Sequence, residues 1–232
     1  MHIVPAILPE TFEELQFHAR QAAKVAECVQ LDICDGIFVP HRSWPFQSQP
    51  DPDFDALMQE EQGLPEWQKL NYEVDLMVSD PAEVAKQWIM VGASRVVLHI
   101  ESSPTALSIL QELRAAYGGA PDSPTNILFG VALQNETPLE RLYPFLPHAD
   151  FVQLMGIPRL GFQGEPFDER VLPRISQLRE THPELIISVD GAVDADTAPR
   201  LIEAGASRLV VGSYLFEGSV AERVAHLESL FV

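Results

Sequence analysis

Cysteine is scarce in this chain of 232 residues. Cys28 and Cys34 are too few for a disulfide framework and lack the CxxC spacing of a zinc site. They read as reduced core thiols of a cytoplasmic protein. Basic charge is scarce as well, with 15 Lys and Arg against 34 Asp and Glu and a net charge of −19. Such a field repels phosphate backbones and anionic lipid, which argues against nucleic-acid and membrane partners. A small anionic substrate answers to its local pocket and is not excluded. Lysine is nearly missing: Lys24 and Lys86 fall in helical stretches and Lys69 precedes the third strand. None ends a strand, which argues against Schiff-base aldolase chemistry. There is no GxSxG elbow and no GxGxxG after the first strand, so a nucleotide cofactor has no support. No apolar run reaches the roughly eighteen residues of a membrane span. Met1-His2-Ile3-Val4-Pro5 lacks the regions of a signal peptide.

What is present is a hydrophobic content of 46%, distributed as short apolar runs alternating with amphipathic stretches of helical length. Strands are expected at His2–Leu8, Val29–Ile33, Tyr72–Val78, Arg95–Ile100, Ile127–Leu133, Phe151–Met155, Leu185–Val189 and Arg208–Val211. They are rich in Val, Ile and Leu without polar alternation, as parallel strands buried on both faces are. Thr11-Phe12-Glu13-Glu14 and Ser219-Val220-Ala221-Glu222 are capping boxes. Asp80-Pro81, Ser103-Pro104 and Thr137-Pro138 each place a cap residue before a first-turn proline, and Gly92, Gly118 and Gly205 are expected to end helices in the left-handed conformation. Gly92-Ala93-Ser94-Arg95-Val96-Val97 recurs near half a chain length later as Gly205-Ala206-Ser207-Arg208-Leu209-Val210. Two similar halves of four βα units would produce that echo. The expected fold is therefore α/β, a single-domain (β/α)8 TIM barrel over 1–232. One long connection, at about 41–71, interrupts the rhythm. Its Trp44 and Trp67 suit a lid, a contact with a second copy of the chain in a homo-oligomer, or local packing.

In such a barrel, reacting groups come from the C-terminal ends of strands and the loops that follow. Strand alternation puts Gln30, Asp32 and Cys34 on one face of the second strand and Glu73, Asp75 and Met77 on one face of the third. The fourth offers His99 or, on the other parity, Glu101, and the seventh runs into Asp190 and Gly191. Carboxylates thus converge on one mouth. Gly161 and Gly164 after the sixth strand, Gly191, and Gly212-Ser213 after the eighth leave backbone N–H groups open near helix starts, where barrels commonly seat a phosphate.

From Pro5 to Ser213 the chain resembles the ribulose-phosphate 3-epimerase family of ribulose-phosphate-binding barrels. The resemblance is carried by Pro5-Ala6-Ile7-Leu8, by Leu31-Asp32-Ile33-Cys34-Asp35-Gly36-Ile37-Phe38-Val39-Pro40, and by Asp75-Leu76-Met77-Val78 with Pro81. His99-Ile100-Glu101, Thr137-Pro138, Gly161-Phe162-Gln163-Gly164, Val189-Asp190-Gly191-Ala192-Val193 and Gly212-Ser213 continue it. It implies a cytoplasmic isomerase that inverts C3 of a ketose 5-phosphate through an enediolate, with Asp32 and Asp190 as the acid/base pair. It also implies a divalent metal held by those two carboxylates and two histidines, and here Gln30 and Asp75 stand at the histidine positions. A site of Gln30, Asp32, Asp75 and Asp190 offers only oxygen donors and favours Mg²⁺ or Mn²⁺ over Zn²⁺. If no metal binds, a protonated Asp could donate to the enediolate oxygen instead. The pocket would be walled by Ala6, Cys34, Met77, His99 and Met155. Gln163 replaces a glycine, and Ala192 stands where the family has a second glycine, a change that is tolerable if its φ is negative. Two rival functions stay open: decarboxylase- or aldolase-type enediolate chemistry on the same barrel, and a sugar-phosphate-binding protein without catalysis. Against the former, Glu73-Val74-Asp75 lacks the lysine of an Asp-x-Lys pattern.

Overall fold

The computed structural model describes residues 2–119, 126–162 and 164–231, so Gln163 lies outside the described residues. Eight parallel strands close into a barrel: β1 (His2–Ile7), β2 (Cys28–Cys34), β3 (Asn71–Met77), β4 (Ala93–His99), β5 (Leu128–Leu133), β6 (Phe151–Met155), β7 (Ile187–Asp190) and β8 (Arg208–Val211). Neighbours in sequence are neighbours in the sheet, and β8 returns to β1 with Val4 opposite Val210. This is the (β/α)8 architecture read from the alternating pattern. Each strand hides its Val, Ile and Leu from water on both sides, against helices outside or the lumen inside.

Helices α1 (Phe12–Ala22), α2 (Pro52–Met58), α3 (Pro81–Met90), α4 (Ala106–Tyr117), α5 (Val171–Thr181), α6 (Ala198–Ala204), α7 (Ser213–Phe216) and α8 (Val220–Ser229) surround the barrel. The Thr11 and Ser219 side chains accept from the backbone N–H of Glu14 and Glu222, and Asp80 caps α3 ahead of Pro81, as their spacing predicts. Two expected starts differ. The α4 helix begins after Thr105, and the Ser103 hydroxyl accepts from the Thr105 N–H instead of capping a helix. After Thr137-Pro138 come two short 3₁₀ turns, Leu139–Leu142 and Leu146–His148, because Pro144 and Pro147 remove donors and obstruct a longer helix. Gly205 ends its helix at φ 113°, and Gly92 is also left-handed, but Gly118 has φ −72°. Gly118 is needed for space: a Cβ there would stand 2.6 Å from the Arg114 carbonyl oxygen.

The 41–71 connection divides its two tryptophans. Trp44 is buried, tilted against Phe12 and edge-on to Phe54 and Trp88, and its indole N–H donates to Asp51, the residue that caps α2. Trp67 is 63% exposed. Strand β7 begins two residues later than the apolar run suggested, because Ile186 is largely exposed, and it ends on the buried Asp190.

Inside the barrel, Val97, Ala132 and Phe151 pack together, and Gly130 makes room: a Cβ on it would lie 2.4 Å from the Phe151 ring. Beside Phe151, with its guanidinium carbon 5.0 Å from the ring centroid, Arg208 donates to Glu73 Oε2 at 2.8 Å, both side chains almost fully buried. Its other terminal nitrogen donates at 3.5 Å to the Ser188 hydroxyl. This polar layer ties β8 to β3 and β7 beneath the mouth. Among the described residues no helix is long and apolar enough to cross a membrane.

Candidate active site

Period-two alternation brings Gln30 and Asp32 from β2, Asp75 from β3, His99 from β4, Gln153 from β6 and Asp190 from β7 into one buried ring. The backbones of β2 and β3 are in register there, with Asp32 opposite Asp75. The Gln30 amide nitrogen donates to Asp32 Oδ1 and to Asp190 Oδ2, both at 2.8 Å. The Gln153 amide nitrogen donates to Asp75 Oδ2 at 3.2 Å and to Asp190 Oδ2 at 3.3 Å. His99 Nε2 stands 3.1 Å from Asp75 Oδ1 as an ion-pair contact without hydrogen-bond alignment. Asp75 is wholly buried, whereas Asp32 and Asp190 keep 9% and 8% of their surface, the small opening through which a substrate would meet them.

Burial controls the charge of this ring. Asp32 is driven well above the usual carboxylate range by loss of hydration, reinforced by the charges of Asp190 and Asp75 and opposed by the Gln30 amide. Asp190 is pushed up to about 7, first by burial and then by Asp75, with Gln30 and His99 pulling the other way. Burial alone would discharge His99, but Asp75, Glu101 and Asp190 outweigh it and raise its imidazole. A carboxyl raised to about 7, as Asp190 is, can both hold and release a proton near neutral pH.

One oxygen each of Asp32, Asp75 and Asp190 lie within 4.8 Å of one another, an arrangement that could hold a metal ion. The donor set is oxygen only, which suits a hard divalent cation. Gln30, expected among the ligands, presents its nitrogen to the carboxylates, while its Oε1 has no partner among the described residues. In this orientation it joins the ring as a donor, since an amide NH₂ has no lone pair to offer a cation.

The pocket above the ring is lined by Ala6, Asp32, Met77, Met155 and Asp190. Gly161, Gly164, Gly191, Gly212 and Ser213 line it too, so the glycine turns read from sequence do meet at one mouth. Cys34 and His99, expected in the wall, are not among its lining residues. Cys34 packs with Val39, Met77, Met155 and Leu160, and His99 is shielded beneath Phe38. Gly161, Gly164 and Gly191 adopt φ values of 77°, 74° and 98°. Ala192, tolerable at the glycine position if its φ is negative, instead sits at 52°. Its carbonyl accepts the Thr197 hydroxyl at 2.7 Å, and that anchor holds an alanine in a conformation that glycine adopts more easily. Asp35, within the most specific motif, faces away from the ring: it accepts the N–H groups of Ile37, Phe38 and Ser79 and the Ser79 hydroxyl, bracing the β2 loop.

Sequence reasoning missed Gln153 and Arg208. A glutamine inside the apolar run Phe151-Val152-Gln153-Leu154-Met155 was a signal for the first. The partner of Arg208, Glu73, is 135 residues away, and nothing local announces it.

A sequence model described as the ribulose-phosphate 3 epimerase family matches residues 2–216. The chain belongs to the ribulose-phosphate 3-epimerase family. Among similar proteins, the ribulose-phosphate 3-epimerase of Treponema pallidum (strain Nichols) is 29% identical over 223 residues, covering 94% of this chain and 92% of that protein. The ribulose-phosphate 3-epimerase of Bacillus subtilis (strain 168) is also 29% identical, covering 92% and 91%. Among solved structures, 3-hexulose-6-phosphate synthase from Salmonella typhimurium superposes with a TM-score of 0.66 at 13% identity, covering 99% of this chain and 98% of that one. The 3-keto-L-gulonate-6-phosphate decarboxylase of Vibrio cholerae gives 0.67 at 10% identity, covering 99% and 96%. At such identities the structures speak to the barrel alone. Family membership makes this protein an epimerase-like isomerase.

Proposed function

We propose that this family member inverts C3 of a ketose phosphate, ribulose 5-phosphate or a close analogue. The observation that carries the reading is the pair Asp32 and Asp190. They sit three strands apart around the ring with one amide between them, and both are barely open to the pocket. An ionised carboxylate on one face of the sugar takes the proton from C3, leaving an enediolate. The protonated carboxyl on the other face returns a proton to the same carbon, and the configuration inverts. Raised proton affinities at Asp32 and Asp190 suit that exchange, since one group must be protonated while the other is ionised. Open backbone N–H groups around Gly161, Gly164, Gly191, Gly212 and Ser213 would grip the phosphate and hold the carbon chain across the ring.

The carboxylates fit a divalent cation, with Asp32, Asp75 and Asp190 as the groups that would hold it and Mg²⁺ or Mn²⁺ preferred over Zn²⁺. When bound, such an ion supplies positive charge against the enediolate oxygens.

Asp190→Asn tests the assignment. In D₂O with ribulose 5-phosphate, the unaltered chain should incorporate deuterium at C3, and the variant should lose roughly 10²–10⁴-fold of that rate while still binding inorganic phosphate. Retained exchange would mean that another group moves the proton. Binding without any exchange by the unaltered chain, over a panel of pentose and hexose phosphates, would favour a non-catalytic sugar-phosphate binder.

A further inference from the structure

We infer that Gln153 is a positioning residue: its amide, together with that of Gln30, holds one oxygen of each ring carboxylate so that the remaining three are presented together to a single divalent cation. This rests on the cation reading of the proposed site. The hydrogen bonds divide the six carboxylate oxygens evenly. Asp32 Oδ1, Asp75 Oδ2 and Asp190 Oδ2 accept from the two amides, Asp190 from both. The second oxygen of each accepts no hydrogen bond among the described residues, although Asp75 Oδ1 faces His99. Three carboxylates this close repel one another, and unrestrained side chains would rotate apart.

The orientation of Gln153 is itself determined from below. Its Oε1 accepts from the Ser188 hydroxyl at 3.4 Å, and that hydroxyl accepts from Arg208 at 3.5 Å. With its oxygen committed downward, the amide nitrogen must face the carboxylates. Arg208 is in turn held by Glu73 at 2.8 Å. A relay of fully or nearly fully buried groups thus runs from the floor of the lumen to Asp75 and Asp190. Met155, two residues after Gln153 on β6, walls the pocket, so the same strand sets both the ring and the surface above it.

The experiment titrates the full chain, stripped of divalent ions, with Mn²⁺ and reads the free aqua ion by electron paramagnetic resonance. Gln153→Met keeps the volume and removes both donors. It should weaken Mn²⁺ binding about 10–100-fold, and in the presence of Mn²⁺ lower kcat by a similar factor while leaving KM for ribulose 5-phosphate nearly unchanged. Ser188→Ala leaves the ring residues intact but frees the amide to turn over. It should weaken Mn²⁺ binding in the same direction by a smaller factor, and it decides the matter if Gln153→Met fails to fold. Unaltered Mn²⁺ affinity in the folded variants would overturn the inference, and so would an unaltered chain that binds no Mn²⁺ at millimolar concentration. An unaltered chain that binds Mn²⁺ but exchanges no proton at C3 removes the epimerase reading and leaves this inference to the variants.

Discussion

Removing Arg208 should expose how much of the barrel depends on the polar layer beneath the site. Arg208 is 4% exposed and Glu73 fully buried, joined at 2.8 Å through Glu73 Oε2, and Glu73 Oε1 has no hydrogen-bond partner among the described residues. Arg208→Met leaves an unpaired carboxylate in the lumen, and breaking a buried pair from one side costs about 3–5 kcal/mol. For a chain of this size each kcal/mol moves Tm by about 2–4 °C, so the variant should melt roughly 6–20 °C lower at pH 8. Burial already pushes Glu73 above its ordinary range despite Arg208. The deficit should therefore shrink towards pH 4, where the widowed Glu73 takes a proton. Replacing both partners, Glu73→Leu with Arg208→Met, should recover most of the loss, because an apolar pair of similar volume avoids the desolvation of two charges. Urea and thermal unfolding of the single and double variants at the two pH values provide the cycle. A single variant within about 1 kcal/mol of the parent, or a deficit that does not depend on pH, would refute the argument that a buried charge is being stranded.

The seam between β6 and β7 is equally intolerant: a Cβ on Gly156 would stand 2.2 Å from the Gly191 carbonyl oxygen, so Gly156→Ala should cost about 1–3 kcal/mol and impair turnover by displacing the Asp190 loop. Circular dichroism melts and C3 exchange rates measure both. Asp190 gives a stability signature with a definite sign. Its carboxyl is raised from 3.8 to about 7, so the ion-free folded chain binds a proton that the unfolded chain releases, and stability is lost as pH rises through that window. Asp190→Asn removes this loss, so its Tm relative to the parent should climb between pH 4 and pH 8 when both are stripped of divalent ions. A constant or falling difference would show that Asp190 ionises as easily folded as unfolded.

Most of the strand order and the parity of the side chains was legible in the linear pattern. Gln30 and Asp32, or Asp75 and Met77, are two apart on extended backbone, and alternation alone assigns them to one face. The capping boxes at Thr11 and Ser219 were equally readable, because those hydrogen bonds close within three residues. Less legible were features that depend on space: Gly118 is determined by its clearance from Arg114, and Cys34 and His99 do not line the pocket because neighbouring side chains cover them.

The sequence by itself determined the alternation of elements, the face each polar residue would occupy, and the concentration of acid at one end. Those properties are local, set by backbone periodicity and by hydrogen bonds between near neighbours. Only the closed barrel decided which amide meets which carboxylate, that Gln153 supports Asp75 and Asp190, and that Arg208 answers Glu73. Such pairings arise when strands far apart in the chain share one narrow interior, and the exclusion of water there gives each of them its energetic weight.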